Sequence, residues 1–125
     1  MKYTVLGWGM VVSLFSALAT PALAHHSVAM FDRDKTVTLH GTVKEFQYTN
    51  PHSWLRLYVV GDDGKSVEWG FEAEGPSSLL RKGIKSKTFL PGDKATIVAH
   101  PMKDGRPAGQ LITATAADGH VFTIH

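Results

Sequence analysis

Between Ser53 and Glu72 the sequence alternates in steps of two, and that alternation limits the chain to few folds. Leu55, Leu57 and Val59 share one parity, with Trp54, Arg56 and Tyr58 on the other. After Gly61-Asp62-Asp63-Gly64-Lys65, the apolar parity resumes at Val67, Trp69 and Phe71, opposite Glu68, Gly70 and Glu72. Successive side chains of a strand point to opposite faces, so this is a hairpin with one apolar face. Pairing Val59 with Val67 sets Tyr58 across from Glu68, Arg56 across from Gly70 and Trp54 across from Glu72. Arg56 then lies diagonally between two glutamates. The second face gathers Trp54, Arg56, Tyr58, Glu68 and Glu72. That set reads as a ligand-binding face or as a solvated sheet with cross-strand ion pairs.

The flanking segments extend the pattern. Val37, Leu39 and Val43 share a parity that changes by Phe46 and Tyr48, which predicts a long first strand bent by a bulge at Gly41 or at Lys44-Glu45. Gly75-Pro76-Ser77-Ser78-Leu79-Leu80-Arg81-Lys82-Gly83 is the helical candidate, with proline suited to the first position and glycine to the end. A fourth strand follows Leu90-Pro91-Gly92-Asp93, a fifth covers Gln110 to Ala116, and a short last one covers Val121 to Ile124. One flat sheet cannot bury these apolar faces. The expected fold is mainly β: a small closed or partly open barrel, OB-like, of five to six strands, with one short helix between the third and fourth. A split α+β sheet is the alternative.

The barrel is expected over residues 36–125, after an N-terminal arm over 25–35 that Met30 and Phe31 tack down. Residues 1–24 read as a signal peptide. Met1-Lys2 is followed by an uncharged run from Val5 to Ala19, then Thr20-Pro21 and Ala22-Leu23-Ala24, an A-x-A cleavage site. The apolar core is short for a membrane span, so export to the periplasm with cleavage after Ala24, and no membrane span after processing, is the expectation. The chain has no cysteine, so its core must hold without disulfides. Lys and Arg number 13 against 11 Asp and Glu, a near-balance that argues against a nucleic-acid partner.

Histidine is the compositional anomaly: all 7 lie after Ala24. Cleavage there would leave His25 with a free α-amine, which together with its imidazole can chelate one metal ion. A second imidazole from the barrel completes a three-nitrogen set that looks like the histidine brace of exported copper proteins. Such a set suits Cu(II), with zinc and nickel as competitors. His52, fixed behind Asn50-Pro51 at a strand mouth, is the first choice of partner, and His100 or His26 would support it. The bland reading of His25 and His26 is a polar start to the arm; of His52, an exposed residue beside an Asx-Pro turn. His40 reads as a solvated sheet residue, and His120 and His125 as incidental. Glu68 or Glu72 could also orient a metal-bound histidine.

The segments His25-His26-Ser27, Phe31-Asp32, Gly41-Thr42-Val43, Thr49-Asn50-Pro51-His52-Ser53-Trp54 and Leu90-Pro91-Gly92-Asp93 resemble a family of small exported bacterial proteins known only as a domain of unknown function. The resemblance spans the mature chain and implies an exported barrel; it carries no activity. G-x-S-x-G, H-E-x-x-H and P-loop motifs are absent, as is a cysteine nucleophile, so no catalytic residues are expected. The leading expectation is a periplasmic metal-binding protein for copper. The alternatives are a metal-free OB-type module that binds a protein, glycan or small ligand through the Trp54 face, and an accessory subunit of an envelope complex.

Overall fold

The structure, a computed structural model, describes residues 29–125. The expected signal peptide and His25, His26 and Ser27 lie outside the described residues. Six strands and one helix follow in chain order: β1 Val37–Gln47, β2 Ser53–Val60, β3 Ser66–Ala73, α1 Pro76–Arg81, β4 Lys94–Pro101, β5 Ala108–Thr115 and β6 Val121–Thr123. The sheet order is β3-β2-β1-β4-β5-β6, and a further β3–β5 pairing closes five strands into a barrel. Every pairing is antiparallel except that closure, where Gly70, Phe71 and Glu72 run parallel to Ala108, Gly109 and Gln110. The arrangement is the mainly β, OB-like barrel anticipated, with β6 added outside the closed ring.

The β2–β3 register matches the alternation, with Val59 opposite Val67 and Trp54 opposite Glu72. Leu55, Leu57 and Phe71 fill the interior with Val43, Ile97, Leu111 and Ala114. The parity change in β1 is a bulge at Lys44: Val43 faces Leu57, and the next pair is Glu45 with Arg56. An extra residue there turns Phe46 toward the core that Val43 had faced. Gly41 is not the bulge. It permits close strand contact instead, because a Cβ there would lie 2.7 Å from the Tyr58 carbonyl oxygen.

Helix α1 starts on Pro76 and ends before Gly83, whose φ of +83° suits glycine. It delivers Leu79 to the core, and Ile84 follows. The Tyr48 hydroxyl lies 2.9 Å from both the Pro76 and Ile84 carbonyl oxygens, fastening the end of β1 to both ends of this segment.

The arm continues the line of β1 past a turn and lies against the end of β4. Phe31 bridges to Met102, Asp32 N–H donates to the Pro101 carbonyl at 2.8 Å, and Lys103 N–H donates to the Met30 carbonyl at 2.9 Å. Phe31 is 2% exposed whereas Met30 is 43% exposed. Phe31 tacks the arm by its side chain, and Met30 contributes its backbone oxygen.

Candidate functional site

The apolar parities are consumed by the core, so polar chemistry falls to the outside of the barrel. One transverse row there is unusual. Register places Trp54, Glu72, Gln110 and His100 side by side on β2, β3, β5 and β4. Outward side chains of a small barrel are normally wet, yet Glu72 is 7% exposed and Gln110 is 8% exposed. The arm flanks this row at His100.

Two histidines, one in the row and one beside it, each turn Nδ1 toward an oxygen. His52 directs Nδ1 to Glu72 Oε1 at 3.4 Å. His100 directs Nδ1 to the Lys35 carbonyl oxygen at 2.8 Å. A carbonyl oxygen only accepts, so His100 Nδ1 carries the proton and Nε2 keeps its lone pair. Metal-binding imidazoles are commonly fixed in this way, by an oxygen on the ring nitrogen away from the ion. Gln110 stands between the two histidines along the row, His52 being set against Glu72 on one side and His100 on the other. Among the described residues, no three His, Asp or Glu side chains gather into a metal cluster.

Glu72 holds its proton more tightly than an ordinary glutamate, because burial disfavours the carboxylate more than the neighbouring His52 favours it. Gln110 is odder still. Its Oε1 is shielded from solvent and has no hydrogen-bond partner among the described residues. Glu72, between His52 and Gln110, is not the partner of Arg56 expected from the diagonal. Arg56 contacts Glu45 at 3.2 Å and Glu68 at 3.6 Å, because the bulge at Lys44 swings Glu45 directly opposite it. Lys44 in turn pairs with Glu68 at 2.8 Å and lies over the Tyr58 ring. That ammonium, hydrogen-bonded to Glu68, holds the Glu68 carboxyl below its usual range.

The Trp54 face contains a shallow groove of about 280 Å³ lined by Trp54, Arg56, Glu68, Gly70, Pro107 and Ala108. The indole lies against Gly70 of β3, where an added Cβ would stand 3.7 Å from the ring, in ordinary van der Waals contact. A wider groove of about 450 Å³ lies over β1 and β4, where His40 Nδ1 is 2.9 Å from Thr96 Oγ1 and the Lys94 ammonium donates to Thr42 Oγ1 at 2.7 Å. His40 is thus an exposed sheet residue, as its parity indicated. His120 packs its ring on Phe122.

Two residues escaped the sequence reading. His125 was treated as incidental, yet it lies 3.9 Å from Glu74, and Arg33 and His100 are near enough to oppose its protonation. Burial is the main cause of its lowered proton affinity. Glu74 is held by Ser78 and Lys82, and Lys82 also donates to the Ile124 carbonyl. Gln110 was read only as the start of a strand. The signal available for both was parity: each opposes the core-facing residue beside it, Leu111 or Ile124.

A sequence-family model described as a family of unknown function (DUF6152) matches residues 13–111. No curated protein and no solved structure matches the chain.

Proposed function

We propose that this chain, which belongs to the family of unknown function DUF6152, is an exported metal-binding protein that takes Cu(II) at its processed N-terminus. The reading has the amine and imidazole of His25 as two ligands and an imidazole of the barrel as the third. The observation that carries it is the Nδ1 bond of His100 to the Lys35 carbonyl at 2.8 Å, which leaves Nε2 free beside the very arm that leads back to His25.

Chain length favours His100 over His52 as the barrel ligand. Five residues separate His25 from Met30, a span of at most about 17 Å. Met30 is tied to Lys103, and Lys103 is three residues from His100, about 10 Å along a strand. His52 lies against Glu72, on the far side of Gln110 from His100. In this reading His100 binds the ion, His26 flanks it, and His52 with Glu72 forms a nearby imidazole–carboxylate pair. The nitrogen-rich donor set suits Cu(II) under the Irving–Williams order, with zinc and nickel weaker competitors.

Titrating the processed protein with Cu(II), followed by visible absorption, tests the reading. Binding should be lost on His25→Ala, on adding one residue before His25, and on His100→Ala, and should survive His52→Ala. Affinity that withstands the one-residue extension refutes it.

The Trp54 groove supports a second reading, a metal-free module that holds a small ligand, a glycan or an envelope protein against the indole. It requires that Trp54→Ala abolish retention of that partner while Cu(II) affinity is unchanged.

A further inference from the structure

We propose that the groove over β1 and β4 binds a small organic anion, with its oxyanion head held by Lys94 and His40 and its carbon skeleton laid against Tyr58. This groove stands apart from the metal reading and shares no lining residue with the Trp54 groove.

Register builds the groove on the outer face of the barrel. Thr42 of β1 lies between Tyr58 of β2 and Lys94 of β4 in one cross-strand row. In the next row His40 lies beside Thr96, and Thr96 beside Thr115. These side chains line one depression of about 450 Å³, and the rest of its wall is glycine, valine and alanine. No carboxylate lines it. A depression whose charge is all of one sign draws in the opposite ion.

The polar groups are already positioned. The Lys94 ammonium donates to Thr42 Oγ1 at 2.7 Å and, among the described residues, contacts no carboxylate. That bond holds the ammonium over the groove and leaves its other N–H groups to a ligand. His40 Nδ1 lies 2.9 Å from Thr96 Oγ1, so Nε2 is the ring nitrogen left to face an anion. A hydroxyl anchor fixes each side chain without cancelling its charge, and a fixed side chain loses less entropy when a ligand arrives. The nearest acids are engaged elsewhere. Glu68, opposite Tyr58, is matched by Lys44 and Arg56. Asp93, beside Lys94 in sequence, accepts from the Leu90 amide.

The apolar half of the groove sets the class of ligand. Tyr58 and Val60 both line it and are 44% and 67% exposed. Tyr58 and Lys94 stand two strand spacings apart, about 10 Å, so a molecule that touches both carries a body the size of an aromatic ring between them. A carboxylate or a phosphate on such a ring supplies the same oxyanion chemistry.

The test is a nuclear magnetic resonance titration of nitrogen-15-labelled processed protein with benzoate, phenyl phosphate, inorganic phosphate and benzyl alcohol. Benzoate or phenyl phosphate should give saturable shifts at the Thr42, Thr96 and Thr115 amides, and the tighter of the two identifies the head group. Inorganic phosphate and benzyl alcohol should each bind more weakly, because each lacks half of the contact. Lys94→Gln keeps a donor for Thr42 but removes the charge, and should weaken the aromatic anions about threefold or more. Lys94→Arg should bind them as wild type does. Tyr58→Ala should weaken the aromatic anions and leave inorganic phosphate unchanged. Benzyl alcohol binding as tightly as benzoate, unchanged affinity in Lys94→Gln, shifts confined to another face of the barrel, or no saturable shift with either aromatic anion overturns the proposal. None of these outcomes bears on Cu(II) binding, so the two readings fail separately.

Discussion

Replacing Phe31 by alanine should release the arm without unfolding the barrel. The side chain is buried against the end of β4 but is not part of the main core cluster. Loss of a buried phenylalanine costs about 3–5 kcal/mol. What would still hold the arm is three hydrogen bonds: Asp32 to Pro101, Lys103 to Met30 and His100 to Lys35. Each contributes about 0.5–1.5 kcal/mol net, so together they do not outweigh the loss. Ordering each arm residue also costs about 1–2 kcal/mol, so net docking is weak in the wild type and caps what the substitution can remove from global stability. The matched control is Phe71→Ala in the barrel interior, where no local opening relieves the cavity and the full 3–5 kcal/mol should appear. Urea unfolding with amide hydrogen exchange distinguishes the two. In Phe31→Ala the Asp32 and Lys103 amides should lose protection while strand amides keep theirs, and the unfolding free energy should fall by well under half the loss seen in Phe71→Ala. Equal losses, or retained protection at Asp32 and Lys103, would refute the separation of arm from core. The metal reading adds a consequence. Freeing the arm back to Val37 lengthens the tether of His25 from five residues to twelve, which lowers its effective concentration about fourfold. Cu(II) affinity should drop by that modest factor rather than vanish.

Further outcomes follow from the packing around the row. Gly109→Ala should destabilise by about 1–3 kcal/mol, because the new Cβ would meet the His100 carbonyl oxygen at 2.8 Å; a denaturation midpoint equal to wild type would show that β4 and β5 separate freely there. Burial lowers the proton affinity of His125 below its ordinary value of 6.5, so the unfolded chain takes up that proton first. Stability should therefore fall as pH drops through about 6.5, and His125→Gln should flatten that part of the urea-midpoint profile. Glu74 acts lower. Its carboxyl is opposed by burial but held below 4.5 overall by Ser78 and Lys82, so its contribution is present above about 4.5 and disappears as pH falls through the lowered value. Glu74→Gln should cost stability at pH 7, and that cost should vanish once the pH falls below the lowered value.

The strand faces, the β2–β3 register, the helix and the bulged first strand were legible because each is dictated by local rules: parity, loop residues and a proline at a helix start. What parity could not give was the partner of each outward side chain. Arg56 was read diagonally between two glutamates, but the bulge at Lys44 brought Glu45 opposite it, a displacement that depends on β1 being wound around the barrel. Glu72 and Gln110 read as ordinary polar positions on a sheet surface, and they become neighbours only when β3 and β5, separated by the helix and all of β4, close side by side. His125 was discounted because it ends a short strand; its place beside Glu74 depends on where β6 crosses the finished barrel.

That same closure explains why the outer row is where function should be sought. A barrel of five short strands has room inside for its own side chains and little else, and here the interior is occupied by Leu55, Leu57, Phe71, Ile97 and Leu111. A ligand must then bind outside, where a convex sheet gives little enclosure. Added chain borders the row at its His100 end: the arm through Lys35 and the C-terminal segment through His125. Glu72 and Gln110 are buried in this row, and burial is what makes an unpaired Gln110 oxygen and a reluctant Glu72 carboxylate costly. A protein shortened to begin at Val37 should keep the barrel's strand signature in circular dichroism while Gln110 and Glu72 become solvated, and Glu72 should titrate closer to its ordinary value of 4.5. A Glu72 carboxyl that remains raised in that truncated chain, followed by its carbon-13 shift, would show that the barrel alone buries the row and that the arm is not its cover.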